Sequence, residues 1–103
     1  MTPYEFAGLF FDLGIPVRHN DALKMAPPYL VYTEYERPRF IADNSGAEGG
    51  WKIQLDYYTK KEFDPLAETI EGILDANDIA FSRLKDFEKD TGYHHHIFDC
   101  EVI

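Results

Sequence analysis

The alternation of apolar and polar residues predicts a strand, a helix and a second strand in succession. Every second residue from Trp51 to Tyr57 is apolar and the residues between them are polar, which is typical of a strand with one buried face. Apolar residues then recur at helical spacing, and period two resumes at Ile79 and Phe81. The stripe of the predicted helix consists of Leu66, Ile70, Ile73 and Leu74. The helix should therefore cover one face of a sheet.

Capping residues mark the ends of two helices. Asp64 suits the cap position of the second helix and Pro65 its first helical position, and we expect the helix to end at Asn77 or Asp78. Gly72 interrupts this helix, and we interpret it as a place where helix and sheet approach closely. A first helix should begin with the Thr2–Glu5 capping box, and its stripe comprises Phe6, Leu9, Phe10 and Leu13 before Gly14 closes it.

The remaining segments predict strands, turns and loops. Residues 17–26 have no clear period and are assigned as a loop with one extended turn near Val17, and residues 29–33 and 39–42 are predicted as a hairpin joined by a turn at 34–38. A glycine-rich loop follows at 43–50, and a tight turn at 89–92 leads into a last strand over 93–102. The chain 1–103 is thus predicted to be a single α+β domain of order α-β-β-β-α-β-β. Its sheet should be mixed or antiparallel, with about five strands and two helices on one face.

Composition restricts the classes of function. The 103 residues carry 19 Asp and Glu against 10 Lys and Arg, a formal net charge of -9, which opposes nucleic-acid and anionic-membrane binding. The single cysteine, Cys100, rules out an internal disulfide and fits a reducing compartment such as the cytoplasm. No signal peptide or membrane helix is expected, because acidic residues interrupt the apolar N-terminal stretch and no run of about 20 apolar residues occurs.

Three stretches suggest chemistry, and each has a simpler interpretation. His94 and His96 share one face of the last strand and could hold a metal ion, but the next residues on that face include Cys100 as the one further candidate ligand. Cys100 lies between two acids and is interpreted as a buried small residue rather than a nucleophile. Residues 45–50 lack the lysine and glycine spacing of a phosphate-binding loop. We therefore expect no catalytic residues, no metal and no cofactor.

Aromatic residues are too abundant for a core of this size. Tyrosine and tryptophan are favoured at protein interfaces, so exposed members would suit subunit contacts, whereas partial burial within a monomer is the alternative. The residues concerned are Tyr32, Tyr35, Trp51, Tyr57 and Tyr58.

Several short runs resemble the small tail-completion proteins of long-tailed bacteriophages and prophages. They are PPYLVY at 27–32, FIADN at 40–44, IQLDYYTKK at 53–61, and the helix opened by Asp64 with Glu68, Glu71 and Leu74. The closing aromatic-rich strand is also similar, and the likeness extends from about Gly14 onward. The resemblance implies a non-enzymatic virion protein, made in the host bacterial cytoplasm. It further implies a homo-oligomeric ring at the head-proximal end of the tail, bound to tail-tube and head-neck proteins.

Such a ring would surround the channel through which DNA passes, and acidic residues in projecting turns would keep that wall free of phosphate contacts. The candidate channel-facing residues are Glu34, Glu36, Asp43 and Glu48, and the candidate subunit contacts are Tyr35 and Arg37. In one alternative these acids only keep a monomer soluble. Two alternative functions are an acidic adaptor or inhibitor of a basic protein and a metal-dependent enzyme built on the histidines.

Overall fold

A computed structural model describes residues 1–37 and 50–103. In the described parts of the chain, two helices accompany a five-stranded mixed sheet, as the sequence predicts. The elements are α1 (Pro3–Gly8), β1 (Val17–His19), β2 (Tyr29–Glu36), β3 (Trp51–Thr59), α2 (Pro65–Ala76), β4 (Ala80–Glu88) and β5 (Tyr93–Val102). A short 3-10 turn at Phe11–Leu13 follows α1.

The strands lie in the order β1-β2-β3-β5-β4. β1 runs parallel to β2, whereas the other neighbouring pairs are antiparallel. β4 and β5 form the hairpin predicted from the turn at 89–92, and β5 lies between β3 and β4. The two strands that flank α2 are therefore parallel to each other but are not neighbours. This arrangement brings residues near the end of β3 beside the last strand, with Tyr57 opposite His96 and Thr59 opposite His94.

Both predicted caps are present. Thr2 and Glu5 form the reciprocal capping box of α1, and Gly14 adopts a left-handed conformation with φ +81° after the 3-10 turn. The Asp64 side chain accepts the amide of Leu66 at the start of α2. The expectation for Gly72 is wrong: it is exposed, and an added Cβ would meet nothing within 4 Å. Neither described helix combines the length and apolar character needed to cross a bilayer.

One face of the sheet carries the main core. Phe6 and Phe10 from the first helical segment and Ile70 and Leu74 from α2 are completely buried against it. The inward residues of the central strands complete the core, namely Leu30, Ile53, Leu55, Tyr57, Phe98, Cys100 and Val102. Both helices thus cover the same face, here called the helix side. The opposite face, the open side, carries a smaller apolar cluster of Ala22, Tyr29 and Val31.

Two local predictions need correction. Residues 17–19 form an edge strand rather than a loop, because Val17 pairs with Leu30 in a parallel ladder that the local sequence does not reveal. The predicted turn at 34–38 is wrong at its start, since β2 continues to Glu36 with a bulge between Glu34 and Glu36. The predicted return strand at 39–42 lies outside the described residues. β2 pairs with β1 on one side and β3 on the other.

Candidate functional site

A pocket with a mostly apolar lining opens on the helix side, where the N-terminus of α2 meets the edge of the sheet. It has a volume of about 280 Å³ and is lined by residues 62–65 and Glu68 together with Arg83, Lys85 and His96. β4 and β5 supply the three basic or imidazole side chains, and the segment before α2 supplies the opposite wall. We call this site the helix-side pocket.

Arg83 fixes one wall of the pocket to α2. Its Nη1 lies 3.1 Å from Glu68 Oε1 and 2.8 Å from Glu71 Oε2. Burial lowers the pKa of Arg83, but the hydrogen bonds from the two carboxylates outweigh it and the net pKa is raised. Glu68 and Glu71 are three residues apart, so one helix face presents both to the same guanidinium. The charge of Arg83 is therefore already compensated within the chain.

His96 has one ring nitrogen occupied and one unsatisfied. Its Nδ1 lies 3.2 Å from Arg83 Nη2, and a guanidinium can only donate, so Nδ1 is the acceptor. The residue is 3% exposed, and burial together with the nearby cations Arg83 and Lys85 lowers its pKa to about 4. At neutral pH the ring is uncharged and carries its proton on Nε2. That buried Nε2 has no hydrogen-bond partner among the described residues.

Lys85 is an exposed residue that lines the pocket. Its Nζ donates to the Glu62 carbonyl oxygen at 3.1 Å and lies 5.5 Å from the ring centre of Phe63, which is 84% exposed. Within the described ranges, no carboxylate lies within 4 Å of Nζ. The ammonium group therefore retains donors and an uncompensated charge at this opening.

Asp64 also lines the helix-side pocket, and its hydrogen bonds link α2 to β3. Its Oδ2 accepts from the Tyr57 hydroxyl at 2.7 Å and from the Thr59 hydroxyl at 2.6 Å, while Oδ1 accepts from the Leu66 amide at 2.9 Å. Burial raises the pKa of Asp64, but the hydrogen bonds from Thr59, Tyr57 and the amide prevail and lower the net pKa. Both oxygens of this carboxylate are thus engaged by groups of its own chain.

The open side of the sheet carries a second polar cluster. Asp56 is 7% exposed and accepts from Gln54 Nε2 and from His95 Nε2, the latter at 2.9 Å. His95 stacks on Tyr58 with ring centres 4.1 Å apart, and Tyr58 stacks on Tyr29 at 4.9 Å. The buried carboxylate thus has hydrogen-bond donors on its own strand and on β5, so this cluster orders three adjacent strands.

Three of the residues predicted to face a channel or a neighbouring subunit, Glu34, Tyr35 and Arg37, contact other side chains of the described chain. Glu34 is paired with His19, whose hydrogen bond lowers the Glu34 pKa, and Glu36 is exposed at the end of β2. The Tyr35 hydroxyl donates to Asp99, which raises the Tyr35 pKa to about 12, and 51% of the Tyr35 surface is exposed. The Arg37 guanidinium lies 4.6 Å from the centre of the Trp51 ring. Asp43 and Glu48 lie outside the described residues.

The other candidate side chains are mostly buried. Cys100 is completely buried, which confirms the prediction of a buried small residue, and burial raises the pKa of its thiol to about 12. His94 packs against Phe87, and no group of three or more metal-binding side chains occurs within residues 1–37 and 50–103. Of the five aromatic residues singled out, Tyr32 and Tyr57 are buried whereas the other three are at least partly exposed, which confirms that they do not all fit the core.

Sequence analysis did not identify Arg83 and Lys85 as site residues. A signal was present, because both share the period-two face of Ile79 and Phe81, the residues that begin the strand with its apolar side. Two cations on the inward face of a predicted strand require partners or a polar pocket.

Comparisons with known proteins found no match to this chain. No protein-family model matches the chain, and no curated protein or solved structure matches it either.

Proposed function

We propose that this protein is a virion structural subunit that completes a bacteriophage tail, assembling as a ring between tail and head and acting without catalysis. The observation that carries the proposal is the resemblance of the runs at 27–32, 40–44 and 53–61 and of the helix opened by Asp64 to small tail-completion proteins. Two of these runs fall largely on β2 and β3, which are neighbours in the sheet.

The two edge strands of the sheet support the proposal that the chain assembles as a ring. β1 and β4 are its two edge strands, each paired on one side in the described structure, and β4 is nine residues long. An unpaired edge readily accepts another strand, and a ring needs two different surfaces that meet head to tail. Leu84 and Phe87 on β4 are 66% and 49% exposed, and both would lose water contact in such an interface.

The proposed channel and contact positions are the candidates from the sequence, of which Glu34, Tyr35 and Glu36 lie at the end of β2. Glu36, with Asp43 and Glu48, would present carboxylates to passing DNA, and Tyr35 and Arg37 would contact a neighbouring subunit. Glu34 is the weakest of the four acidic candidates because it is paired with His19.

The test of function is genetic. Inactivation of the gene in the phage or prophage that encodes it should yield DNA-filled heads and separate tails, visible by electron microscopy, and a plasmid copy should restore joined particles. Joined, infectious particles at the parental level without the gene would refute the proposal.

The proposal that acidic residues face the channel can be tested with a control variant of equal charge. Lysine substitutions at Glu36, Asp43 and Glu48 should reduce DNA ejection while the isolated chain retains its melting temperature. The control variant carries lysine substitutions at three other exposed acidic residues, Asp12, Asp75 and Asp90. Equal infectivity of the two variants would exclude a channel-facing role for the first set.

A further inference from the structure

Two residues that line the helix-side pocket, His96 and Lys85, carry hydrogen-bond donors that are not fully used. The His96 Nε2 proton is buried and unpartnered among the described residues, and Lys85 Nζ uses one donor on the Glu62 carbonyl oxygen. Two of the three carboxylates that line the pocket are engaged, since Glu68 pairs with Arg83 and Asp64 accepts three hydrogen bonds, whereas Glu62 is exposed. A buried donor left without an acceptor destabilises the folded chain, so a group that supplies an acceptor would be stabilised here.

The charges define which acceptor fits. Arg83 is compensated by Glu68 and Glu71, whereas Lys85 has no carboxylate within 4 Å in the part of the chain that the structure describes. An anionic acceptor can take a hydrogen bond and also compensate the Lys85 charge, whereas a neutral carbonyl can take the hydrogen bond but leaves that charge uncompensated. The volume of about 280 Å³ is large enough to admit a carboxylate side chain.

We propose that the helix-side pocket binds a carboxylate side chain from a second copy of this chain, an inference that rests on the proposed ring. The chain has nearly twice as many acidic as basic residues, 19 against 10, so neighbouring copies repel unless cations meet carboxylates across the interface. Lys85 is a cation with no carboxylate partner among the described residues, and it stands on edge strand β4. A pocket on one copy that receives an acid from another makes the head-to-tail contact that a ring requires.

The carboxylate specificity is tested on the intact protein with acetate as the probe. We expect a saturable change in the NMR signals of the His96 side chain and of the Lys85 backbone amide, with no change at Lys89, an exposed lysine outside the pocket. Chloride at equal ionic strength should leave all three unchanged. Signals that respond identically to acetate and chloride would overturn the proposed site, whether or not the protein forms rings.

The identity of the occupant is tested by self-association measured in sedimentation velocity. Lys85→Met keeps an aliphatic side chain of similar length but removes the charge near the Phe63 ring. It should weaken association about tenfold, as expected for the loss of one charged hydrogen bond. Lys89→Met should associate like the parental chain. Acetate binding with equal association of the two variants would overturn the second copy as occupant. A parental chain that never associates would refute the ring and this occupant together, while the acetate result would still decide the carboxylate site.

Discussion

Asp64 joins three interactions whose loss should be measurable. Its carboxylate caps α2 through the Leu66 amide and accepts the hydroxyls of Tyr57 and Thr59, which belong to residues 1% and 2% exposed. Asp64→Ala removes the acceptor from all three donors. Asp64→Asn retains an oxygen for the amide but presents its NH₂ group to the hydroxyls. The two variants therefore separate the cap from the link to β3.

The magnitude follows from these contacts. Loss of a helix N-cap costs about 1 kcal/mol, and a buried hydroxyl deprived of its acceptor costs at least about 1 kcal/mol. Asp64→Ala should therefore lower the free energy of unfolding by about 3 kcal/mol, and Asp64→Asn by about 1–2 kcal/mol. Asp75→Ala, which removes an exposed carboxylate from the last turn of α2, should change it by less than about 0.5 kcal/mol.

Urea denaturation followed by circular dichroism measures these differences in the free energy of unfolding. Their pH dependence tests whether the ionised Asp64 carboxylate causes them. The pKa of Asp64 is lowered in the folded state, so its contribution is present above the unfolded pKa of about 3.9 and is lost as the pH falls through the folded pKa. The difference between the parental protein and the Asp64→Asn variant should therefore shrink below about pH 4. Two results would refute this role of the Asp64 carboxylate. One is a loss of unfolding free energy for Asp64→Ala no larger than for Asp75→Ala. The other is a difference between the parental protein and Asp64→Asn that does not change with pH in the acid range.

Three further predictions concern stability. Ile70→Ala should cost about 2–5 kcal/mol in urea denaturation because Ile70 is completely buried, and a change within error would mean that α2 packs differently. Gly72→Ala should stabilise by up to about 1 kcal/mol, whereas Gly14→Ala should destabilise because φ is +81°; a shared sign would contradict this. Burial lowers the pKa of His96 to about 4, so acid should progressively destabilise the parental chain between the unfolded pKa of about 6.5 and pH 4, and His96→Gln should flatten this slope.

The sequence by itself determined the elements whose signals are local. The Thr2–Glu5 box and the Asp64 cap identified the starts of both helices, because a cap depends on residues within one turn. Alternation identified β3 and the burial of Cys100 on β5, because side-chain direction in a strand follows from position alone. These signals were sufficient for the α+β class, for both helices and for the strands β2, β3, β4 and β5.

Tertiary structure decided what depends on distant partners. β1 exists because residues 17–19 pair with β2, and β2 continues past Thr33 because β3 supplies hydrogen bonds across the predicted turn. The helix-side pocket likewise combines α2 with two strands, and the order that brings β5 between β3 and β4 is what sets His96 beside Arg83 and Lys85. Pairing between segments far apart in sequence leaves no local period, so the pocket became visible only in the folded chain.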